Sequence, residues 1–190
     1  MPGYPLKVGR RRTPGTPQRA RERANAAHGP FSAACLARLR RARVARLATA
    51  DARGRPHVVP ICFAAEARAV YHAIDAKPKG RPAAGLRRVR NMVENPRVAL
   101  LVDHYEEDWR RLWFVLVRGR ARLLRRGPAR ARGLRLLRRK YAQYRRGHPR
   151  GESPRGGQRS RAERIRGMLP QDALVIAIKP DAVSTWGLGL

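Results

Sequence analysis

Lysine is nearly missing from a chain that is otherwise crowded with positive charge. Of 44 basic residues only five are lysine (Lys7, Lys77, Lys79, Lys140 and Lys179), and only 13 residues are acidic, for a formal net charge of +31 over 190 residues. Cysteine is scarce as well. Cys35 and Cys62 stand far apart with no CxxC spacing, which excludes a zinc ribbon or a disulfide scaffold and reads as reduced, cytosolic thiols. No apolar run approaches the roughly 18–20 residues that a membrane-spanning helix needs. The first thirty residues lack the apolar centre of a secretory signal. The expectation is a cytoplasmic protein with no membrane partner. Self-sufficient catalytic signatures are absent too: there is no GxSxG, HExxH, P-loop or GxGxxG.

The charge that is present admits two readings. Arginine and lysine neutralise phosphates, which is the main source of non-specific nucleic-acid affinity. Against a dedicated surface, the basic residues are spread over nearly every segment, and aromatics, 6% of the chain, do not interleave with them as a stacking platform would require. Arg, Ala, Gly and Pro also share GC-rich codons, so compositional bias is the favoured account. Weak non-specific binding to nucleic acid follows from either.

Residues 1–30, with seven basic residues, one acid and several Pro and Gly, read as a disordered basic arm. Order is expected from Phe31, with Ser32 capping a short helix that turns Leu36 and Leu39 inward. The period then changes to two. "RVARLATA" (43–50) and "PHVVPICFA" (56–64) flank "DARGR", where Gly54 can take a positive φ, and "AVYHAID" (69–75) follows, so three strands in a meander are expected. A helix over 83–95 places Leu86, Val89 and Val93 on one face. The run 96–105 is apolar enough to be buried on both faces, and 111–124 is a long strand with a bulge or bend at Gly119. After Gly127–Pro128 a helix buries Leu134, Leu137, Tyr141 and Tyr144. Residues 145–165 read as a flexible basic insert, and 172–181 as the last strand. The expectation is a mainly β domain over 31–188: a small barrel of about six antiparallel strands with two or three peripheral helices.

Three stretches stand out as candidate sites. Pro60, inside a strand, removes a ladder donor and points to a strand open on one side, where a flat ligand meets free main-chain groups. Lys77 and Lys79 lie in a proline-stiffened bend between a strand and a helix, where compact ammonium charges suit a phosphate, with Arg87, Arg88, Arg90 and Asn91 close behind. "DHYEEDWRRLWF" (103–114) crowds acids beside Trp109 and Trp113; the acids are either solvated or paired with arginine of a partner subunit. His57, His72 and His104 read as ordinary half-buried histidines and no metal site is expected. Cys62 reads as core.

Together, "RLATADARGRPHVVPICF", "YHAIDAKPKG", "NPRVALLVDHYEEDWRRLWFVLVRGRARLL" and the terminal "VIAIKPD…STW" resemble the pyridoxamine 5'-phosphate oxidase-like (PPOX-class) superfamily, in particular its branch of probable coenzyme F420-dependent oxidoreductases. The resemblance implies a split β-barrel, FMN-binding in much of the superfamily, that pairs as a homodimer with cofactor sites at the interface. It implies main-chain contacts to the ring from Val59, Pro60 and Ile61, and phosphate contacts from Lys77 and Lys79. It also implies contacts from Trp113 and Phe114 to the partner subunit's cofactor. Tyr71, His72, His104 and Trp109 are the substrate-side candidates. The implied activity is hydride transfer between F420, or alternatively FMN, and a small organic substrate, with no dedicated catalytic side chain. The alternatives on the same fold are a non-catalytic nucleic-acid-associated protein and a heme-associated one.

Overall fold

The computed structural model describes residues 29–75, 82–145, 169–170 and 172–188. The expected arm, except for its last two residues, lies outside the described residues, as do Lys77 and Lys79 and all of the expected basic insert 145–165 but its first residue.

The order of elements is α1 (Ala33–Arg41), β1 (Ala45–Ala50), β2 (Pro56–Ile61), β3 (Ala64–Glu66), β4 (Ala69–Ala73), α2 (Arg87–Glu94), β5 (Arg97–His104), β6 (Trp113–Leu124), α3 (Pro128–Lys140) and β7 (Val175–Trp186). Every strand pairing is antiparallel, in the order β2-β1-β5-β6-β7-β4-β3. This is the mainly β split barrel, with seven strands among the described residues where six were expected.

Local chemistry fixes the element ends. Ser32 Oγ accepts from Cys35 N at 3.2 Å, and Arg38, Arg40 and Arg41 fill the last turn of α1, where cations oppose the helix dipole. Gly54 turns the β1–β2 link with φ +76°, while the Asp51 carboxylate accepts from Arg53 N and Arg55 N, both at 3.0 Å. Those bonds, the Arg55 amide first, hold the Asp51 carboxyl below its ordinary value. The bulge falls between Arg118 and Gly119, as the glycine suggested; a Cβ at Gly119 would lie 2.2 Å from Lys179 O.

Four expectations need correction. The meander does not form: β1 pairs with β2 and β3 with β4, but β2 and β3 end the strand order on opposite edges. Hairpin links specify only neighbouring strands. The chain leaves one edge of the coiled sheet and enters the other through Cys62 and Phe63, which split the expected strand 56–64. Val93 is 70% exposed and Met92 is buried instead, because Leu86 is the extended N-cap of α2 and lies off the helical stripe. β5 alternates buried and accessible residues, since among the described residues no helix covers the outer face of that part of the sheet. The last strand runs on to Trp186.

Two hydrophobic clusters result. The barrel interior gathers Leu47, Leu100, Val102, Val115, Val117 and Ile176 from alternating strand positions, closed by Cys35 and Leu39 of α1 and Val89 and Met92 of α2. A second cluster lies beneath α3, where Leu134, Leu137, Tyr141 and Tyr144 pack on Tyr71 and Val175.

Candidate cofactor and substrate site

Antiparallel register decides which distant residues meet. Pro60 faces Arg46, Arg46 faces Leu101, His104 faces Trp113, and Phe114 faces both Asp103 and Trp186. The end of β2, the start of β1, the end of β5 and the start of β6 thus share one end of the barrel, and the last turn of α1 lies over its mouth. An open depression of about 460 Å³ forms there, lined by Arg38, Arg41, His104, Glu106, Arg111 and Trp113 among others.

The depression is aromatic and cationic. The Arg38 guanidinium sits 5.1 Å over the Trp113 ring, a cation–π contact, and the His104 ring lies nearly parallel to Trp113 with centres 6.1 Å apart. His104 Nε2 is 2.7 Å from Glu106 Oε1, and Arg111 Nε is 2.9 Å from the other Glu106 oxygen. Three of the four crowded acids are therefore paired within this chain, Asp103 with Arg46, Glu106 with Arg111 and His104, and Asp108 with Arg110, while Glu107 is exposed. Hydrogen bonds from Arg110 hold the Asp108 carboxyl below its usual range. Among the described residues Arg38 and Arg41 make no ion pair, which leaves two guanidiniums uncommitted to carboxylates at the mouth. Sequence reasoning passed over both. Basic residues in a last helical turn carry no signal beyond capping.

The strand edge behaves as Pro60 suggested. β2 pairs on one side with β1, and among the described residues no strand takes its other side. Pro60 is exposed, Val59 is half-buried against the core, and Ile61 is buried within it. Phe114 is half-buried on the outer face of β6.

The remaining predicted residues lie elsewhere. Tyr71 is buried beneath α3, its hydroxyl donating to Glu66 Oε1 at 2.9 Å; burial and that carboxylate push its pKa up to about 12. His72 is buried beside it, with Nδ1 3.0 Å from Cys62 O, so it braces the β2–β3 joint. Trp109 is 73% exposed on a short 3-10 turn and does not line the depression. Arg87 and Arg90 are exposed on α2. Asn91 is buried and donates from Nδ2 to Thr49 Oγ1 at 3.0 Å, which ties α2 to β1. Arg88 is half-buried on the same helix. Burial lowers its pKa, nearby Asp75 opposes that shift, and its Nε is buried with no hydrogen-bond partner among the described residues. Burial lowers the His57 pKa as well, reinforced by Arg87 and Arg88. Lys77 and Lys79 belong to the segment that joins Asp75 to this helix, outside the described residues.

Comparison with known proteins now adds to the geometry. A family model described as pyridoxamine 5'-phosphate oxidase matches residues 31–187. HutZ, the heme storage protein from Vibrio cholerae, superposes with a TM-score of 0.53 at 17% identity, over 79% of this chain and 89% of that one. The conserved hypothetical protein Rv2991 from Mycobacterium tuberculosis gives 0.55 at 19% identity, over 86% and 91%. A heme binding protein from Mycobacterium smegmatis gives 0.55 at 18% identity, over 83% of this chain and 55% of that one. At such identities the likeness is one of fold. No curated protein matches the sequence.

Proposed function

The chain belongs to the pyridoxamine 5'-phosphate oxidase family, and from that premise we propose that it is an oxidoreductase whose cofactor is coenzyme F420, with FMN as the alternative. The observation that carries this reading is the free β2 edge at Pro60, set at the same end of the barrel as the Trp113 depression. The residues fit a phosphate-bearing ring. The open edge offers main-chain groups at Val59, Pro60 and Ile61. The buried Arg88 Nε suits an anion, and Lys77 and Lys79 join it on the adjoining bend under this reading, beside Arg87 and Arg90. When bound, such a ring supplies hydride transfer to or from a small organic substrate. The chain itself binds, orients and excludes water. Trp113 floors the substrate side and Arg38 and Arg41 hold negative charge. His104, held by Glu106, is the imidazole ring at the mouth.

The same reading assigns a partner. On the outer face of the sheet Val58 and Trp186 are 57% and 52% exposed, and Leu101, Leu116 and Phe114 are only half-buried. A largely apolar sheet face with no helix over it among the described residues suits a second copy of the chain, which brings Phe114 toward the partner's site.

Titration with F420, FMN and hemin in separate arms, followed by tryptophan fluorescence, tests the assignment. F420 is expected to quench, and Lys77→Ala with Lys79→Ala to weaken its binding by about 2–5 kcal/mol, as the loss of charge-assisted contacts to phosphate would. Unchanged affinity in the double variant removes the phosphate assignment. Heme handling is the second reading, favoured by His104 in a depression whose guanidiniums suit porphyrin carboxylates. Hemin binding that is lost in His104→Ala, with no affinity for F420 or FMN, selects it.

A further inference from the structure

The outer face of the sheet changes character along its strands. At the depression end it is largely apolar, broken by the Arg46–Asp103 ion pair. At the other end β5, β6 and β7 set cations directly against one another: Arg97 faces Arg120, and Arg120 faces Lys179, and all three are exposed. Side chains alternate faces along a strand, so Arg118 and Arg122 share this surface. Like charges placed opposite each other across a ladder destabilise it. Among the described residues one carboxylate is ion-paired to the row, Asp181, 3.7 Å from Arg120 Nε and itself more than half exposed. The row is held in register. Gly119 lets β6 approach Lys179 O more closely than any side-chain-bearing residue could, and the bulge beside it drops Asp181 out of the ladder between Pro180 and Ala182.

We propose that this row binds the phosphate backbone of a duplex nucleic acid. Along β6 the cations repeat every second residue, roughly 6.5–7 Å apart, and the flanking strands add further columns about 4.8 Å away. That is a two-dimensional array of positive charge, and duplex DNA presents about one negative charge per 1.7 Å of its axis. Among the described residues no exposed aromatic side chain shares this half of the face, Tyr71 being buried beneath α3, which leaves no base-stacking platform there. Contacts limited to phosphate position a protein on the duplex without reading its sequence. The surface stands apart from the redox site and does not depend on it.

Fluorescence anisotropy of a labelled mixed-sequence duplex of about 20 base pairs, with the full chain and across roughly 50–300 mM salt, tests the proposal. The row variant Arg97→Gln/Arg120→Gln/Lys179→Gln is compared with Arg40→Gln/Arg135→Gln/Arg139→Gln, which removes the same charge from exposed positions on α1 and α3. The row variant is expected to bind at least about tenfold more weakly than the control, with a log–log salt slope shallower by about 2–3. Arg120→Gln alone is expected to flatten the slope by about 1. Because the row opposes like charges, the triple variant is expected to melt above wild type. Equal losses in the two triple variants would mean that bulk charge does the binding and would overturn the proposal. So would a wild-type chain with no duplex affinity at the lowest salt, or a row variant that melts below wild type.

Discussion

The barrel interior and the cluster beneath α3 are both buried, yet they hold the chain by different means. The interior is largely aliphatic, with Leu47, Leu100, Val115, Val117 and Ile176 wholly inaccessible and supplied by strands that are paired on both sides. Beneath α3 leucines, alanines and a valine are joined by three buried tyrosines, Tyr71, Tyr141 and Tyr144, each with a bonded hydroxyl. Tyr141 Oη accepts from Phe63 N at 3.0 Å and lies 2.7 Å from Arg43 O and 2.9 Å from Phe63 O, while Tyr144 donates to Asp75 at 3.1 Å. The difference is instructive. Where the ladder is continuous, main-chain groups satisfy one another and side chains need only fill volume. Where it breaks, at Cys62–Phe63 between the two edges of the sheet, a hydroxyl stands in for the missing strand.

That contrast orders the expected costs of substitution. Leu100→Ala should cost the most, about 2–5 kcal/mol, because the intact barrel cannot collapse onto the cavity. Urea denaturation measures it, and a cost below about 1 kcal/mol would mean that the interior is loosely packed. Tyr141→Phe keeps the ring and removes only the hydroxyl, leaving Phe63 N and the carbonyls of Phe63 and Arg43 to seek other partners. It should cost about 1–3 kcal/mol. If it is neutral, the β2–β3 joint does not rely on that hydroxyl and the contrast fails.

The two regions also differ in how legible they were. Strand positions followed from period two, since a one-residue slip would turn every interior side chain outward. The Ser32 cap, the Gly54 turn and the Gly119 bulge are local devices with local signatures. Strand order was not legible, because an edge swap through two residues looks in sequence like the middle of one strand. Tyr141 and Phe63 meet across 78 residues, so nothing near either one announces the bond. At the candidate site the open edge at Pro60 was legible because proline is unusual inside a strand, whereas Trp113, an ordinary strand residue, entered only through the family resemblance. Asn91 and Tyr71 were not: a polar group that completes a buried bond looks the same in sequence as one waiting for a ligand. The pairing of the 103–108 acids was open for a related reason. Their partners include Arg46, a strand residue 57 positions before Asp103.

Lys140 gives the smallest and most selective test, because it places an amine in the polar cluster. Its Nζ donates to Leu39 O at 2.9 Å and lies 3.9 Å from the Phe63 ring centre. Burial first, and the Arg43 cation second, bring its pKa from 10.5 down to about 8. Unfolding returns the amine to its ordinary value, so between about pH 8 and 10.5 the unfolded chain holds the extra proton. Stability therefore rises with pH through that window, and below it both states are protonated and this contribution is flat at its least favourable level. Above about pH 10 the opposite trend enters, since Tyr71 and Tyr141 ionise near 12 when folded and near 10 when unfolded. Cys35, whose pKa burial raises from 9.0 to about 11, also opposes the amine from about pH 8 upward. Lys140→Met shares these opposing trends, so the difference between the two proteins isolates the amine between about pH 8 and 9.5. There the urea midpoint of the wild-type chain should climb relative to Lys140→Met, which keeps the stem over Phe63 and cannot titrate. Parallel profiles for the two proteins would mean that the folded amine is as well hydrated as a surface lysine, and the cluster beneath α3 would then be held by its tyrosines alone.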